Sequence, residues 1–335
     1  MKKLSAAVFV LCFFAVNQGV AGENYLDLAE VRSFIDDFSE RYQYPKSSLT
    51  ALIGNVKKQV QVLDAIQRPA EKKKNWREYR EIFITPKRIN EGLQFWAQNA
   101  VILEAAERQF GIPPEIVVAI IGVESFYGRY KGRYPVLDSL VTLGFEYEPR
   151  KKFFRSELEH FLLLTKEEAL DPSVIKGSYA GAMGKSQFIS SSYRRYAVDF
   201  DENGKRDLWE SNADAIGSVA NYLKEHGWKM GQPVTFPVTV KGDRYKALLK
   251  KGLKPAAPIF ELSQYGIKPH DDLPVKEGEV ALLEFKKDNS TEYWVGLNNF
   301  YVITRYNHSS MYAMAVYQLS QKVKQDFKGL YTTVP

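Results

Sequence analysis

Cysteine is almost absent from this sequence of 335 residues, in which Cys12 is the only one. It lies in an N-terminal segment where two lysines precede an apolar run ending near Val16, followed by small residues up to Ala21. This pattern is typical of a secretory signal cleaved after about Ala21. The remaining chain would hold no cysteine, which excludes disulfide bonds and thiol chemistry from its design.

Long apolar runs are scarce as well. The N-terminal run is too short to span a bilayer comfortably. A lipid-anchor cysteine normally follows a small residue, whereas Leu11 precedes Cys12. We therefore expect an exported protein without a lipid anchor, whose residues 22–335 are enough for two or three domains.

Neither sign of charge dominates, since 46 basic residues face 40 acidic ones and the formal net charge is +6. This mild excess fits attraction to an anionic polymer or surface, but it is too small and dispersed to indicate nucleic acid. The basic clusters at 72–74 and 150–155 are typical of solvated surfaces. We expect no nucleic acid among the partners.

Several common catalytic motifs are missing. The four histidines are scattered without the spacing of metal ligands, which argues against zinc. The segment "AGAMGKSQ" suggests a phosphate loop, but Tyr179 stands where that motif needs a glycine before Gly184. Ser186 lacks the following glycine of a serine-hydrolase elbow. We expect neither nucleotide binding nor any organic cofactor.

The stretch "IIGVESFYG", residues 120–128, places one carboxylate inside an apolar run. Pro113 and Pro114 suit the first turn of a helix and Gly128 suits its end, so the pattern predicts a helix over 113–127.

Glu124 falls on this helix with an apolar face. Val117, Ile120 and Ile121 precede it by seven, four and three residues and so share its side of the helix. Burial would raise the pKa of the Glu124 carboxyl, which suits a group that carries a proton and then releases it. The alternative from this stretch alone is a structural glutamate paired with an arginine.

The segment "DFDENGKRDLWE", residues 199–210, matches the EF-hand calcium loop. Arg206 occupies a position that is normally apolar and used to pair two hands, and no second loop follows. We therefore expect a lone stabilising Ca²⁺ site and not a sensor; the alternative is an acidic loop without metal. The predicted ligands are Asp199, Asp201, Asn203, Lys205, Asp207 and Glu210, with Gly204 at the bend.

Apolar and charged residues alternate at helical spacing from Tyr25 to about Phe110, and the helical pattern continues to about Trp228. Beyond Gly231, "TFPVTV", "VALLEF" and "EYWVGL" predict a small antiparallel β unit before a closing helix. The fold class is mainly α. The predicted parts are a signal at 1–21, an N-terminal helical domain at 22–110, a catalytic core at 111–230, a β domain at 231–298 and a return to the core at 299–335.

Five motifs occur in order: "VESFYGR", "GSYAGAMGKSQFISSSYRRYAVDF", the EF-hand loop, "DAIGSVANYLKEHGW" and "FYVITRYNHSSMYAMAVYQL". With them the chain resembles the membrane-bound lytic murein transglycosylase B family, in its soluble form as much as its lipid-anchored one. The resemblance implies a periplasmic protein with a lysozyme-like helical core, flanking α and β domains, and one Ca²⁺ loop.

The resemblance also implies a reaction. Glu124 would protonate the glycosidic oxygen between N-acetylmuramic acid and N-acetylglucosamine in peptidoglycan. It would then take the proton of the 6-hydroxyl as that oxygen closes on C1, giving a 1,6-anhydro sugar without consuming water. Ordinary glycosidases use a second carboxylate, for which Asp138 and Glu146 are the nearest downstream acids.

Further residues are assigned to substrate by the resemblance, although packing in a helical core explains each aromatic one as readily. Those that would bind sugar are Ser178, Gln187, Tyr222, Tyr306 and Asn307. Those that would form apolar platforms are Met183, Phe126 and Tyr127. The expected partners are peptidoglycan glycan strands and proteins of cell-wall synthesis or remodelling, and we expect a monomer.

Three other functions compete with this one. A hydrolytic muramidase would leave reducing ends, an idle wall-binding scaffold would keep the fold without cleavage, and a Ca²⁺ signalling module would need a second hand. The presence of Glu124, Ser178, Gln187 and Tyr306 together argues against the scaffold.

Overall fold

The structure, a computed structural model, describes residues 24–67, 74–273 and 275–332, and the side chains up to residue 329. The predicted signal segment lies outside the described residues. The chain forms two compact units divided between Lys57 and Lys58. The predicted domain limits at residues 110, 230 and 298 stay predictions.

The first unit is helical. Four apolar residues of its longer helix recur at helical spacing and are buried, namely Val31, Phe34, Ile35 and Phe38. In the shorter helix, Leu49 and Ile53 are four residues apart and are also buried. Its helices are α1 (Ala29–Tyr42) and α2 (Lys46–Gly54).

The second unit contains the remaining helices. Its first group is α3 (Val60–Gln67), α4 (Trp76–Phe83), α5 (Pro86–Gln98), α6 (Ala100–Phe110), α7 (Pro114–Ser125) and α8 (Val136–Glu146). Its second group is α9 (Lys151–Glu167), α10 (Ser190–Tyr196), α11 (Asn212–Glu225), α12 (Tyr245–Leu249), α13 (Asn298–Tyr306) and α14 (Ser310–Thr332). The structure thus confirms a mainly α fold.

Helix α7 is the centre of this unit. Every residue from Pro114 to Gly122 is buried, so its neighbours enclose it on all sides. The predicted end of this helix at residue 127 is wrong. Phe126 and Tyr127 take left-handed backbone angles, with φ of 52° and 59°, and so end the helix two residues early.

Three strands of the structure fall on the predicted runs "TFPVTV", "VALLEF" and "EYWVGL", and the other strands were not predicted. A two-stranded ladder joins β1 (Tyr134–Pro135) to β2 (Lys176–Gly177). The larger sheet has the antiparallel order β4-β6-β7-β3-β5. Its strands are β3 (Thr235–Val240), β4 (Ala257–Pro258), β5 (Ile267–Pro269), β6 (Glu279–Lys286) and β7 (Thr291–Gly296).

One face of this sheet has a core of its own. Alternate residues, such as Phe236 and Val238 of β3 and Val280 and Leu282 of β6, pack there against Leu248 of α12. Strand β6 is buried on its other face as well, through Ala281 and Leu283, so the sheet is covered on both sides there. The sheet is inserted between α11 and the closing helices, as predicted.

Helix α14 returns the chain to α7. Its predicted stripe of Ala315, Leu319 and Val323 is fully buried. At the far end of the contact the Nζ atom of Lys324 lies 2.5 Å from a carboxylate oxygen of Glu115. The two helices are thereby fixed in register along their length. In the described part of the chain, no helix combines the length and apolar character needed to cross a membrane.

The close packing of α7 gives a stability prediction for Gly122→Ala. A Cβ atom there would lie 2.6 Å from the Tyr127 ring, which Gly92 of α5 confines on its other side. We expect this overpacking to destabilise the fold by about 1–2 kcal/mol in chemical denaturation.

Gly329→Ala in α14 is the matched control, because nothing lies within 4 Å of its added Cβ. Alanine favours the helix there by up to about 1 kcal/mol. An unchanged or raised stability of Gly122→Ala would contradict the packing described for α7.

Candidate active site

Glu124 lies in the last turn of α7 and is half-buried. The hydroxyl of Tyr312, which is 2% exposed, donates a hydrogen bond of 2.6 Å to Glu124 Oε1. The carboxylate is therefore held by a side chain of α14. A carboxylate that is fixed in position and only half-buried suits proton transfer to a bound ligand.

An aromatic wall stands beside Glu124. The Tyr306 and Tyr222 ring centroids are 4.8 Å apart, and Phe188 lies within 6 Å of both rings. The Tyr306 hydroxyl donates to Ser186 O at 2.6 Å, and the Tyr222 hydroxyl donates to Arg305 O at 2.6 Å. Both rings are thus fixed by hydrogen bonds at their polar ends.

The charge of Glu124 acts on these tyrosines. Burial raises the pKa of Tyr306 and Tyr312 well above the usual tyrosine range, and the nearby Glu124 carboxylate raises both further. Burial likewise raises the pKa of Tyr222, with smaller contributions that include Glu124. All three hydroxyls therefore remain protonated at neutral pH. Among the described residues, Glu124 is the one carboxylate that contributes to the pKa of all three.

The loop from Met183 to Phe188 faces this group. Its ends pair with each other through two backbone hydrogen bonds of 2.8 and 3.1 Å. Gly184 is required at the bend, since a Cβ atom would lie 2.5 Å from Leu208 O and its φ is +71°. Gln187 also has a positive φ, of 48°, and its amide donates to Gly184 O and Lys131 O. Positive φ at a non-glycine residue is uncommon and marks a backbone held by its surroundings.

The other predicted substrate residues are placed differently. The Ser178 hydroxyl accepts hydrogen bonds from the backbone N–H groups of Ala180 and Ala182 and is half-buried. Met183 is fully buried, whereas Asn307 is exposed. The sugar-binding roles of these residues stay predictions.

The two aromatic residues after α7 also differ. The Phe126 ring is half-buried and lies beside the guanidinium groups of Arg88 and Arg129. Tyr127 packs between α5 and α7, and its hydroxyl donates to Arg88 O at 2.9 Å. This position gives Tyr127 a packing contact of its own, and its predicted role as a sugar platform stays a prediction.

The loop over residues 199–210 gathers carboxylates. Oxygen atoms of Asp199, Asp201 and Asp214 all lie within 4.8 Å of one another. Asp199 accepts from the N–H groups of Asn203 at 3.0 Å and Gly204 at 2.7 Å, which curls the loop. Such a cluster of hard oxygen atoms fits a divalent cation.

Asp214 is a member of this cluster that the motif does not contain. It is fully buried at the start of α11, and its oxygens accept from the N–H groups of Phe200 and Asp207 at 2.7 Å each. Burial raises the pKa of Asp214, against the lowering effect of these backbone hydrogen bonds. Asp214 therefore holds the backbone of the acidic loop at two points, Phe200 and Asp207.

Two lysines connect the acidic loop with the end of α7. Lys131 Nζ lies 2.6 Å from Glu210 Oε1, so this predicted metal ligand is engaged in an ion pair. The buried Lys185 donates to Glu210 O and Asn212 Oδ1, at 2.6 Å each. Its own carbonyl accepts from the Ser125 hydroxyl next to Glu124. Burial lowers the pKa of Lys185.

Sequence reasoning missed three residues here, namely Tyr312, Asp214 and Lys185. Tyr312 lies four residues before the buried Val316, so it belongs to the apolar stripe and gives no separate signal. Asp214 follows its N-cap Ser211 by three residues, which is the ordinary pattern of a capped helix start. Only the buried position of these groups reveals their role.

Comparison with known proteins identifies the family. A family model described as "Transglycosylase SLT domain" matches residues 27–321. The chain is 40% identical to membrane-bound lytic murein transglycosylase B of Escherichia coli strain K12, over 90% of this chain and 84% of that protein. The soluble lytic transglycosylase SltB1 from Pseudomonas aeruginosa is 46% identical, with a TM-score of 0.83 over 89% of this chain and 99% of that one.

Two related structures contain ligands. Lytic transglycosylase Slt35 of Escherichia coli in complex with calcium is 39% identical, with a TM-score of 0.80 over 91% of this chain and 94% of that one. SltB3 from Pseudomonas aeruginosa in complex with NAG-anhNAM-pentapeptide is 32% identical, with a TM-score of 0.78 over 88% and 79%. These likenesses confirm the family and the fold class that the motifs predict. The chain belongs to the transglycosylase SLT domain family, the lytic transglycosylases, and is an enzyme of that family.

Proposed function

We propose that this enzyme cleaves the β-1,4 bond between N-acetylmuramic acid and N-acetylglucosamine in peptidoglycan and leaves 1,6-anhydro ends. Glu124 gives its proton to the glycosidic oxygen as the bond from that oxygen to C1 breaks. The 6-hydroxyl oxygen of the same muramic acid then bonds to C1 and returns a proton to Glu124. Atoms and charge balance without a water molecule, and Glu124 regains its starting state.

The observation that carries this proposal is the position of Glu124 beside three protonated tyrosines. It is the carboxylate whose charge acts on Tyr222, Tyr306 and Tyr312 together. The predicted alternatives are engaged elsewhere, since Asp138 accepts from Gln59 at 3.0 Å and Glu146 pairs with Lys58 at 2.5 Å. One carboxyl group must then serve as acid and base in turn.

The aromatic wall supplies binding and charge stabilisation. Its fixed tyrosine rings offer apolar surface to sugar rings and, because the hydroxyls stay protonated, no competing negative charge. An oxocarbenium-like transition state carries positive charge at C1. The electron-rich Tyr306 ring and the ionised Glu124 both favour that charge, while Gln187 and Ser178 hold the sugar by hydrogen bonds.

The acidic loop is proposed to hold one Ca²⁺ in the manner of an EF-hand. Asp199 and Asp201 already converge, and the calcium complex of Slt35 supports the choice of ion. The remaining ligands would be the side chains of Asn203 and Asp207 and the backbone carbonyl of Lys205. Glu210 would first have to break its ion pair with Lys131 before it could bind the ion. The bound ion would stiffen the loop that Lys185 connects to the end of α7.

We further propose that the protein acts in the periplasm after export by its N-terminal signal. Its substrate is the glycan strand, in agreement with the peptidoglycan fragment bound to SltB3. Proteins of cell-wall synthesis or remodelling are proposed as its further partners.

The products released from purified peptidoglycan test the reaction directly. We expect mass spectrometry to find muropeptides that are lighter by one water than the hydrolytic products. Reducing ends in their place would make the enzyme a hydrolytic muramidase, and an absence of products would favour a wall-binding scaffold.

Glu124→Gln should abolish cleavage, because the amide can neither donate nor accept the catalytic proton. We expect the rate to fall by about a hundredfold to ten-thousandfold, the range for general acid and base catalysis. Binding to peptidoglycan and the melting temperature should stay close to those of the parent.

The matched control is Glu115→Gln on the same helix. It removes the ion pair with Lys324 and not the catalytic group, so it should lower stability and keep the turnover rate. Substantial turnover in purified Glu124→Gln would remove Glu124 from its proposed role.

Calcium should raise the melting temperature, since a ligand that binds only the folded state stabilises it by about 2.7 kcal/mol at a hundredfold excess over Kd. Chelation should reverse this gain while changing activity less at moderate temperature. Asp201→Asn should abolish the response, whereas Glu202→Gln removes an exposed charge of the same loop and should keep it. Equal melting curves of the parent with calcium and with chelator would refute the metal site.

A further inference from the structure

Trp294 of β7 lies at the junction of three surface pockets, of about 450, 320 and 360 Å³. The second and third pockets also share Arg80 and Gln318, and the first and third share Glu292. Together they form one groove, which runs from the outer surface of the sheet to α4 and α14. We call this the Trp294 groove.

The Trp294 groove is separate from the active site. On α14, Tyr312 contacts Glu124, whereas Gln321, nine residues further on, lines the groove. At about 100° per residue, nine residues correspond to a rotation of about 180°, so the groove lies on the opposite side of α14. The body of a helix about 10 Å wide separates the two sites.

The groove has an aromatic floor. The ring centroids of Trp294 and Tyr317 are 6.5 Å apart and the rings are inclined by 72°. Trp294 stands opposite Leu283 of β6, which is 1% exposed, so its inner edge is anchored on a buried face. Trp294 is half-buried as a residue, so part of its surface stays accessible. Rigid aromatic side chains of this kind offer a large contact area to the apolar face of a ring.

Neutral amides border this floor. Gln318, Gln321 and Gln325 recur at intervals of three and four residues and so share one side of α14. Arg80 Nε donates to Gln318 Oε1 at 2.6 Å, which fixes that amide. Each amide offers both donors and acceptors, as required for hydroxyl and acetamido groups.

Some of the charges that line the groove are paired, while Arg80 and Lys322 add positive charge to it. Arg77 pairs with Glu81 at 3.1 Å and with Asp288 at 2.5 Å, and Lys287 pairs with Glu292. Paired charges attract a polyanion weakly. The aromatic floor and its amide border supply the contacts that a saccharide uses, and Arg80 and Lys322 can donate hydrogen bonds to its oxygen atoms.

We propose that the Trp294 groove is an accessory glycan-binding site that takes a short stretch of β-1,4-linked N-acetylated amino sugars. It rests on the proposed function for the identity of the polymer. The groove holds the enzyme on one strand of the wall while the opposite side of α14 presents Glu124 to another. Binding there adds to the affinity for the cross-linked polymer without touching the reacting bond.

The test uses the full chain with Glu124→Gln, so that the probe is not cleaved. Calorimetric titration with a soluble β-1,4 N-acetylglucosamine oligosaccharide should give two sites, and adding Trp294→Ala should leave one. Sedimentation with insoluble chitin should show about a tenfold loss of apparent affinity, equivalent to about 1.4 kcal/mol. Phe260→Ala, which removes an aromatic side chain that is 70% exposed elsewhere on the β unit, should change neither result.

A second variant guards against misfolding. If Trp294→Ala lowers the melting temperature strongly, a double variant with Gln321→Ala and Gln325→Ala tests the groove instead, because both residues are exposed. We expect its apparent affinity for chitin to fall by about threefold. One site in every variant, or unchanged chitin affinity in both, would overturn the proposal. Loss of binding at high salt would also overturn it, because uncharged glycan binds without counterion release.

Cleavage assays separate this proposal from the catalytic one. In the active chain, Trp294→Ala should keep the rate on a short soluble muropeptide and lower the rate on intact sacculi. If the parent chain cleaves nothing while chitin binding still depends on Trp294, the catalytic proposal fails and the accessory site stands.

Discussion

The hydrogen bond from the Tyr312 hydroxyl to Glu124 is the interaction on which the rest of the site depends. A carboxylate at the end of a buried apolar helix is costly unless a donor compensates it. Tyr312 provides that donor from α14, the last helix of the chain, so the site forms only when the chain returns after the β unit. The site thus combines residues from two helices that lie far apart in the sequence.

Backbone strain concentrates around the same carboxylate. Phe126, Tyr127 and Gln187 all have positive φ angles, which bulky residues adopt only when their surroundings impose them. The constraints are visible: Ser125 holds the Lys185 carbonyl, and Tyr306 holds the Ser186 carbonyl. The aromatic wall and the loop therefore support each other through these hydrogen bonds.

The sequence patterns predict the helices and strands better than they predict where these elements end and which side chains make contact between them. Apolar periodicity predicts α7, and the stripe of α14 is found buried as expected. The end of α7 was predicted two residues late, because Gly128 looks like the natural stop while Phe126 takes the left-handed angle through tertiary contacts. The role of Tyr312 could not be predicted for a related reason. In the sequence, a tyrosine on an apolar stripe looks like any packing residue until its hydrogen-bond partner is known.

The acidic loop shows which contacts a sequence motif can predict and which it cannot. Its spacing predicts the convergence of Asp199 with Asp201, because short acidic side chains at alternate positions of a tight loop point inward. It cannot predict Asp214, which arrives from α11, nor the pairing of Glu210 with Lys131. Lys131 also has its carbonyl bound by the Gln187 amide. Lys131 therefore contacts both Glu210 of the acidic loop and Gln187 of the strained loop, so the two loops share one residue as a neighbour.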